Sequence, residues 1–164
     1  MARRVFHSFH FDKDFWRTQQ VRNIGAITGD TPVSSNQWEE IKRSGSSAIK
    51  EWINKHLANK SCTIVLIGRY TAGRQWVKYE IKRTWALGKA LLGIRIHKLR
   101  DNNGDQSGRG KNPFEDLYLG ERKLSSIIPV YDPPYQTSKR VYQYISENIS
   151  DWVEEAIDIR NEYS

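Results

Sequence analysis

The chain has 164 residues, the length of a single domain, and is long enough to bury about two thirds of the unfolded surface. Its 26 lysines and arginines outnumber its 19 aspartates and glutamates, which favours contact with phosphates or nucleic acid, although solubility alone also explains this balance. One cysteine, Cys62, excludes a disulfide within the chain. The first residues lack the apolar region of a signal peptide and no run reaches membrane-spanning length, so we expect a cytoplasmic protein.

The first third of the chain predicts a strand followed by helices. Residues 3–9 are apolar and β-prone, which indicates a central strand. Asp12 or Asp14 is placed to cap the next helix, since a carboxylate accepts the free N–H groups of a first turn. Asn36 has the spacing of a capping box and predicts a short helix that carries Trp38.

The rest of the chain alternates strands with helices, which predicts a parallel sheet. The predicted elements are a helix around 49–57, a buried strand over 62–67, a helix over 74–88, a buried strand over 90–96, a short edge strand within 125–130 and a helix over 138–163 with a break near Ser150. Residues 97–126 are polar and glycine-rich, and a structureless stretch of this length is usually functional or mobile. Because this insert follows a strand at the ligand-binding end of such a sheet, we expect it to gate or shape a pocket.

One carboxylate lies on an apolar helix face. At about 100° per residue, Glu80 shares half of its helix with Trp76, Val77 and Thr84. Burying an unpaired carboxylate costs several kcal/mol, and no basic residue lies four positions away. The ordinary alternative places Glu80 at the edge of the face, bonded to main chain or to Arg83. Its position after a buried strand and a glycine-containing turn favours a functional site.

Other kinds of site have little support. The four histidines lack the spacing of metal ligands, so no metal site is predicted. Phosphate-binding glycine loops and nucleophile elbows are absent. The tryptophans occur at core spacing, so we expect them to pack inside the protein and expect no specific nucleic-acid binding.

Three segments carry a more specific pattern. They are the opening strand 3–10, the strand end 65–68 followed by the Trp76-x-x-x-Glu80 helix, and the loop 110–114 with Leu119 and Gly120 after it. Together they resemble the TIR-like domains of the bacterial Thoeris anti-phage defence system, the ThsB family. This resemblance implies a single domain over 1–164, a flavodoxin-like three-layer α/β fold and a five-stranded parallel sheet of order 2-1-3-4-5.

The resemblance also implies an activity. The enzyme would cleave the nicotinamide glycosidic bond of NAD as an NAD nucleosidase or ADP-ribosyl cyclase, with NAD as substrate and no cofactor. The product would be a cyclic ADP-ribose isomer that activates a separate effector once a phage-derived trigger is sensed. Self-association on activation is expected, and contact with a membrane is not.

In this interpretation Glu80 is the catalytic carboxylate, because a developing ribose cation needs an anion beside it. The residues expected to bind substrate are Phe6, Ser8, Phe9, Trp38, Trp76 and Arg74. Two alternatives stay open. One is a non-catalytic TIR-type interaction module, and the other is a hydrolase of N-glycosidic bonds in nucleosides or nucleotides.

Overall fold

The computed structural model of the protein describes residues 2–28 and 35–163, and the side chains of 2–28 and 37–163. In chain order its elements are β1 (Val5–Ser8), α1 (Phe11–Arg22), α2 (Ser35–Arg43), α3 (Ser46–Leu57), β2 (Cys62–Ile67), α4 (Gln75–Ala86), β3 (Ala90–Arg95), β4 (Tyr118–Leu119), β5 (Arg122–Lys123), a 3-10 turn (Leu124–Ser126), β6 (Val130–Tyr131) and α5 (Ser138–Asn161). None of the described helices is long and apolar enough to cross a membrane.

Four strands form a parallel sheet in the order β1-β2-β3-β6. The central strands β2 and β3 are buried along their whole length, which agrees with their continuous apolar sequence. The predicted α/β fold with a parallel sheet is therefore confirmed. β6 lies at an edge as predicted, but it shares only Val130 with the predicted range 125–130, since Leu124–Ser126 form a 3-10 turn. The five-strand order is not confirmed, because a single parallel bridge from Arg4 to Thr28 occupies the outer edge of β1, just before residues 29–34, which lie outside the described ranges.

Helices cover both faces of this sheet. On one face α1 and α5 pack their apolar residues against the strands, and on the other face α3 and α4 do so. Side chains of a strand alternate between the two faces, so Val5 packs toward α1 while Phe6 packs toward α3. The result is a three-layer arrangement, flavodoxin-like in kind, in which the end of β1 lies between α1, α3 and α4.

Two helices begin differently from the prediction. α1 is capped by His10, whose Nδ1 accepts a hydrogen bond from the Lys13 N–H at 3.4 Å. Neither Asp12 nor Asp14 is the cap, since both lie inside the helix, and Asp14 turns into the protein interior. Asn36 likewise lies inside α2, and its side chain is outside the described ones.

The last helix is continuous where a break was predicted. α5 runs through Ser150, which is exposed, while Ile149 and Val153 on either side of it are buried. A serine on the solvent side of a helix does not interrupt it, because water solvates the hydroxyl. Burial of the apolar face therefore decides the length of α5.

The polar insert 97–126 is ordered, contrary to the expectation of a structureless segment. Arg17 of α1, itself buried, donates hydrogen bonds to the main-chain oxygens of Leu99 at 2.7 Å and Asp105 at 2.8 Å. The same guanidinium bonds to Asp14 at 2.9 Å. Further along, Phe114 is fully buried in the core. Distant parts of the chain thus hold a segment whose own composition specifies no structure.

Replacing Arg17 tests this anchor. Arg17→Met keeps most of the aliphatic volume and removes the charge, which leaves Asp14 buried beside no cation. We expect the free energy of unfolding, measured by urea denaturation, to fall by about 3 to 5 kcal/mol. Arg17→Met combined with Asp14→Leu should recover part of that loss, because no unpaired charge then remains.

The exposed pair of Arg3 with Glu154 provides a matched control. Arg3→Met should leave the urea midpoint nearly unchanged, since solvent screens exposed ion pairs. Equal effects of the Arg17 and Arg3 substitutions would contradict the anchoring role of Arg17.

Candidate active site

Glu80 lies in α4 and turns its side chain toward the end of β1. Its Oε1 atom accepts a hydrogen bond from the Ser8 hydroxyl at 2.5 Å, and the residue is only 7% exposed. The alternative pairing with Arg83 is not formed, because Arg83 Nε donates to Asn54 Oδ1 at 2.8 Å. The helical periodicity of the sequence thus identified a carboxyl group that is buried in the folded protein.

The local sequence explains why these two side chains meet. Ser8 is the last residue of β1, and alternation along the strand places it on the same face as Phe6. One turn after Glu80, the hydroxyl of Thr84 lies 2.7 Å from that of Thr63 on β2 and bonds to the main-chain oxygen of Glu80. These contacts hold α4 against the sheet at the height of the strand end.

Burial makes the Glu80 carboxyl a weak acid. Removal from water is the main cause that raises the pKa of Glu80 from 4.5 to about 8, and the hydrogen bond from Ser8 acts in the opposite direction. At neutral pH much of the population is therefore protonated. A positive charge placed beside the carboxyl would shift it toward the ionised form.

Aromatic side chains form a pocket next to Glu80. The empty space of the pocket, together with the open solvent at its mouth, is about 430 Å³. The lining residues are Phe6, His7, Phe9, Phe11, Arg22, Trp38, Trp52 and Glu80. Phe11 stacks on Trp38 with ring centroids 5.5 Å apart, and Trp38 meets Trp52 edge-on at 5.9 Å. Glu80 is the acidic group among these lining residues, so the pocket joins one carboxyl to large apolar walls.

A second groove of about 530 Å³, including open solvent, lies beside this pocket and shares aromatic lining residues with it. Its lining comprises Phe9, His10, Phe11, Asp12, Trp38, Lys42, Arg74, Gln75, Trp76 and Val77. The groove therefore adjoins the N-terminal turns of both α1 and α4, where backbone N–H groups favour anions. Arg74 Nε bonds to the Tyr70 main-chain oxygen at 2.9 Å, which fixes its side chain beside the groove.

The structure separates the residues predicted to bind substrate into two groups. Phe6, Phe9 and Trp38 line the Glu80 pocket, and Ser8 bonds to the carboxyl itself. Trp76 and Arg74 line only the neighbouring groove.

Four lining residues of the pocket were not predicted as site residues: Phe11, Trp52, His7 and Arg22. Trp52 has the spacing of a core residue on α3, which concealed its second role. Phe11 follows Phe9 by two positions after the strand, and this aromatic pair was the available signal. Neither His7 nor Arg22 carries such a signal, because their place at the pocket depends on tertiary contacts.

The His7 imidazole is buried toward α1 and stays neutral. Burial, together with the positive charge of Arg22, lowers the pKa of His7 to about 3. Within the described chain neither ring nitrogen has a hydrogen-bond partner. His7 is therefore not available as a cationic acid, and across the same residues no group of three or more His, Cys, Asp or Glu side chains is placed to hold a metal ion.

Insert residues are not among those that line the pocket or the groove, so these linings do not support the expectation that the insert shapes the pocket, and a gating role stays a prediction. The lining residues of the pocket and the groove all precede it in the chain. The insert instead packs on the turn after β2, where a Cβ atom at Gly110 would lie 2.1 Å from the Gly68 oxygen. Arg95 also bonds to the Gly110 oxygen at 2.6 Å, which holds the insert beside β2 and β3.

Glu80→Gln tests the burial of this carboxyl through stability. The folded pKa near 8 exceeds the ordinary value of 4.5, so the folded state binds more protons between these pH values and native stability falls as pH rises through them. The melting temperature of Glu80→Gln minus that of the native protein should therefore grow from pH 5 to pH 8 and then level off. Glu51→Gln, on the exposed side of α3, is the control and should show no such trend. A constant difference for Glu80→Gln would contradict the raised pKa.

Comparisons with known proteins identify the family of this chain. The family model described as the TIR-like domain of Thoeris protein ThsB matches residues 6–101. A protein of Bacillus cereus strain MSX-D12, named as a candidate cyclic ADP-D-ribose synthase, ThsB1, is 38% identical over 125 residues, which are 73% of this chain and 64% of that protein. The chain thus covers 64% of the length of this relative, slightly less than two thirds.

A solved structure with a similar course of the chain is that of the CMP N-glycosidase BcmB of Clostridium botulinum. It is 15% identical, with a TM-score of 0.47, over 88% of this chain and 98% of the other. The family match and the Bacillus relative decide the assignment. The chain belongs to the ThsB family of TIR-like domains of the Thoeris system.

Proposed function

We propose that this protein cleaves the nicotinamide glycosidic bond of NAD and releases a cyclic ADP-ribose isomer as a signal in anti-phage defence. The observation that carries the proposal is the buried Glu80 carboxyl, bonded to Ser8 and facing an aromatic pocket at the end of β1. Family membership and the name of the Bacillus relative support NAD as the substrate.

The reaction needs an anion more than it needs an acid. When the bond between ribose C1′ and the nicotinamide nitrogen breaks, its electron pair goes to that nitrogen, and nicotinamide leaves as a neutral molecule. Positive charge then develops on the ribose, and a carboxylate held beside it in a pocket of low polarity stabilises the transition state. Glu80 supplies this carboxylate.

The substrate itself brings Glu80 into the required form. In the free protein the carboxyl holds a proton up to about pH 8, whereas the cationic nicotinamide ring of bound NAD favours ionisation. In the second step a nucleophile forms a bond to C1′. If it is a hydroxyl of the adenosine half the product is cyclic, and if it is water the product is ADP-ribose; in both cases Glu80 is placed to accept the released proton.

The neighbouring groove suits the remainder of the dinucleotide. It shares Phe9, Phe11 and Trp38 with the pocket, so one extended ligand can occupy both. Its margin carries Lys42 and Arg74, whose charges complement a pyrophosphate, although Lys42 is also paired with Glu39 at 2.9 Å. This distribution supports a role for Arg74 at the phosphates.

The remaining proposals concern partners. They are an effector that recognises the cyclic product, a phage-derived trigger, self-association on activation and a cytoplasmic location, and family membership supports them. Dilute monomeric protein is accordingly expected to turn over NAD slowly. Mass spectrometry of NAD and of nucleoside substrates incubated with the protein separates the proposed activity from nucleoside hydrolysis and from a non-catalytic module.

Glu80→Gln tests the catalytic role directly. The amide keeps the shape and the hydrogen bond from Ser8 but removes the charge, so turnover of NAD should fall by about 100-fold or more. The rate is measured from nicotinamide release by mass spectrometry, and Glu51→Gln provides the control with the same chemical change at an exposed position. A folded Glu80→Gln protein with full activity would refute the assignment.

The dependence of kcat/KM on pH gives a second test. Because the ionised carboxyl is the active form, kcat/KM should rise about tenfold per pH unit below the pKa of free Glu80 and level off near pH 8. Ser8→Ala removes the bond that favours ionisation, so it should move this rise to higher pH. A rate that falls as pH increases would instead indicate a protonated Glu80 acting as an acid.

A further inference from the structure

The outer edge of β1 carries main-chain groups of a residue that lines the pocket. Main-chain hydrogen bonds define the two sides of this strand. On the outer side, which faces away from β2, the Val5 N–H donates to the Thr28 oxygen at 2.8 Å, and the Thr28 N–H donates to the Arg3 oxygen at 3.0 Å. On the inner side, the Arg4 oxygen accepts from the Ser61 N–H at 2.9 Å, next to β2.

Main-chain directions alternate along a strand, so residues 3, 5 and 7 share the outer side. The N–H and C=O of His7 therefore point away from β2, beyond the point where Thr28 pairs with the strand. No hydrogen bond to either group is found among the described residues outside the sheet ladder. His7 lines the Glu80 pocket although it is only 3% exposed, so these two groups lie at an enclosed edge.

We propose that the main-chain N–H and C=O of His7 bind the carboxamide of the nicotinamide ring. This inference rests on the proposed function and names the element of the site that selects the leaving group. A primary amide presents an acceptor oxygen and a donor N–H side by side, as a strand does, and it can pair with both groups of one edge residue. Neither the imidazole nor a charged side chain takes part in this recognition.

The position of this anchor suits the chemistry. Ser8, the next residue in the chain, bonds to Glu80, so the carboxamide anchor and the carboxylate are set by two successive residues of one strand. The aromatic side chains Phe9, Phe11 and Trp38 supply flat walls for a ring held there. A nicotinamide ring fixed by its carboxamide would be held within the pocket that Glu80 faces.

The anchor selects for an amide, because a ligand without an amide leaves the His7 N–H or C=O without a hydrogen-bond partner. A nicotinate carboxylate has no donor and repels the His7 oxygen, and a methyl ketone loses the donor only. Nicotinic acid adenine dinucleotide should accordingly react at least about 100-fold more slowly in kcat/KM than NAD, with 3-acetylpyridine adenine dinucleotide between them.

Binding can be observed at the proposed atoms without catalysis. The chain has four histidines, so protein labelled with ¹⁵N only at histidine gives four main-chain amide signals, and His7→Ala identifies that of His7. Nicotinamide should move the His7 amide signal downfield and slow its hydrogen exchange, and nicotinate should not. His97, which is not among the residues lining the pocket or the groove, is the internal control.

A pair of variants separates main chain from side chain. His7→Ala and His7→Pro both lack the imidazole, but only proline lacks the N–H, and proline is tolerated in an edge strand when that N–H faces outward. The preference for NAD over the nicotinic acid analogue should persist in His7→Ala and collapse in His7→Pro, each checked for folding by its melting temperature.

Several results would overturn the inference. They are equal binding of nicotinate and nicotinamide, nicotinamide binding that leaves the His7 amide unmoved, and slow exchange of that amide in the free protein, which would mean that another main chain occupies the edge. If NAD is consumed and these results appear, the proposed function stands and the inference fails. If NAD is not consumed but the His7 amide responds to nicotinamide alone, the carboxamide site stands and the proposed reaction fails.

Discussion

The hydrogen bond between Ser8 and Glu80 is the contact on which the candidate site depends. It joins the first strand to α4 across 72 positions of the chain and is the described partner of a carboxyl that burial has made a weak acid. A hydroxyl is a neutral partner, so it satisfies the carboxyl without pairing its charge. An arginine in its place would stabilise the ionised form permanently and leave little for a cationic substrate to add. The Ser8 hydroxyl thus leaves the charge of the Glu80 carboxylate unpaired, so a cationic ligand could stabilise the ionised form.

Two acids are buried among the described residues, Asp14 and Glu80, and they have different partners. Asp14 is paired with the Arg17 guanidinium, and this pair holds the insert through main-chain oxygens. Glu80 has no such cation, because Arg83 lies on another side of α4 and bonds to Asn54. An arginine three positions after the acid thus leads to two outcomes, an ion pair at Asp14 and an acid without one at Glu80.

Position in the sheet explains why the pocket forms at β1. The central strands β2 and β3 pair on both sides, so their main-chain groups are satisfied by the sheet. Among the residues that the structure describes, β1 is bridged on its outer side at Thr28, near its beginning, and its end opens toward aromatic side chains from α1, α2 and α3. An edge strand with a covered end offers directed N–H and C=O groups, which a wholly paired strand does not.

The sequence alone determined the fold class, the two central strands, the presence of the main helices and the exceptional place of Glu80. These features depend on residues close together in the chain, and an apolar run such as 62–67 or a helical period reports them directly. The ordered insert, the cap at His10, the roles of Phe11 and Trp52 and the edge at His7 were decided only by the tertiary structure. Arg17 meets Leu99 across 82 positions, and no local pattern records such a contact. Contacts between distant segments determine which polar groups have hydrogen-bond partners, and the candidate site forms where some of these groups have none within the described chain.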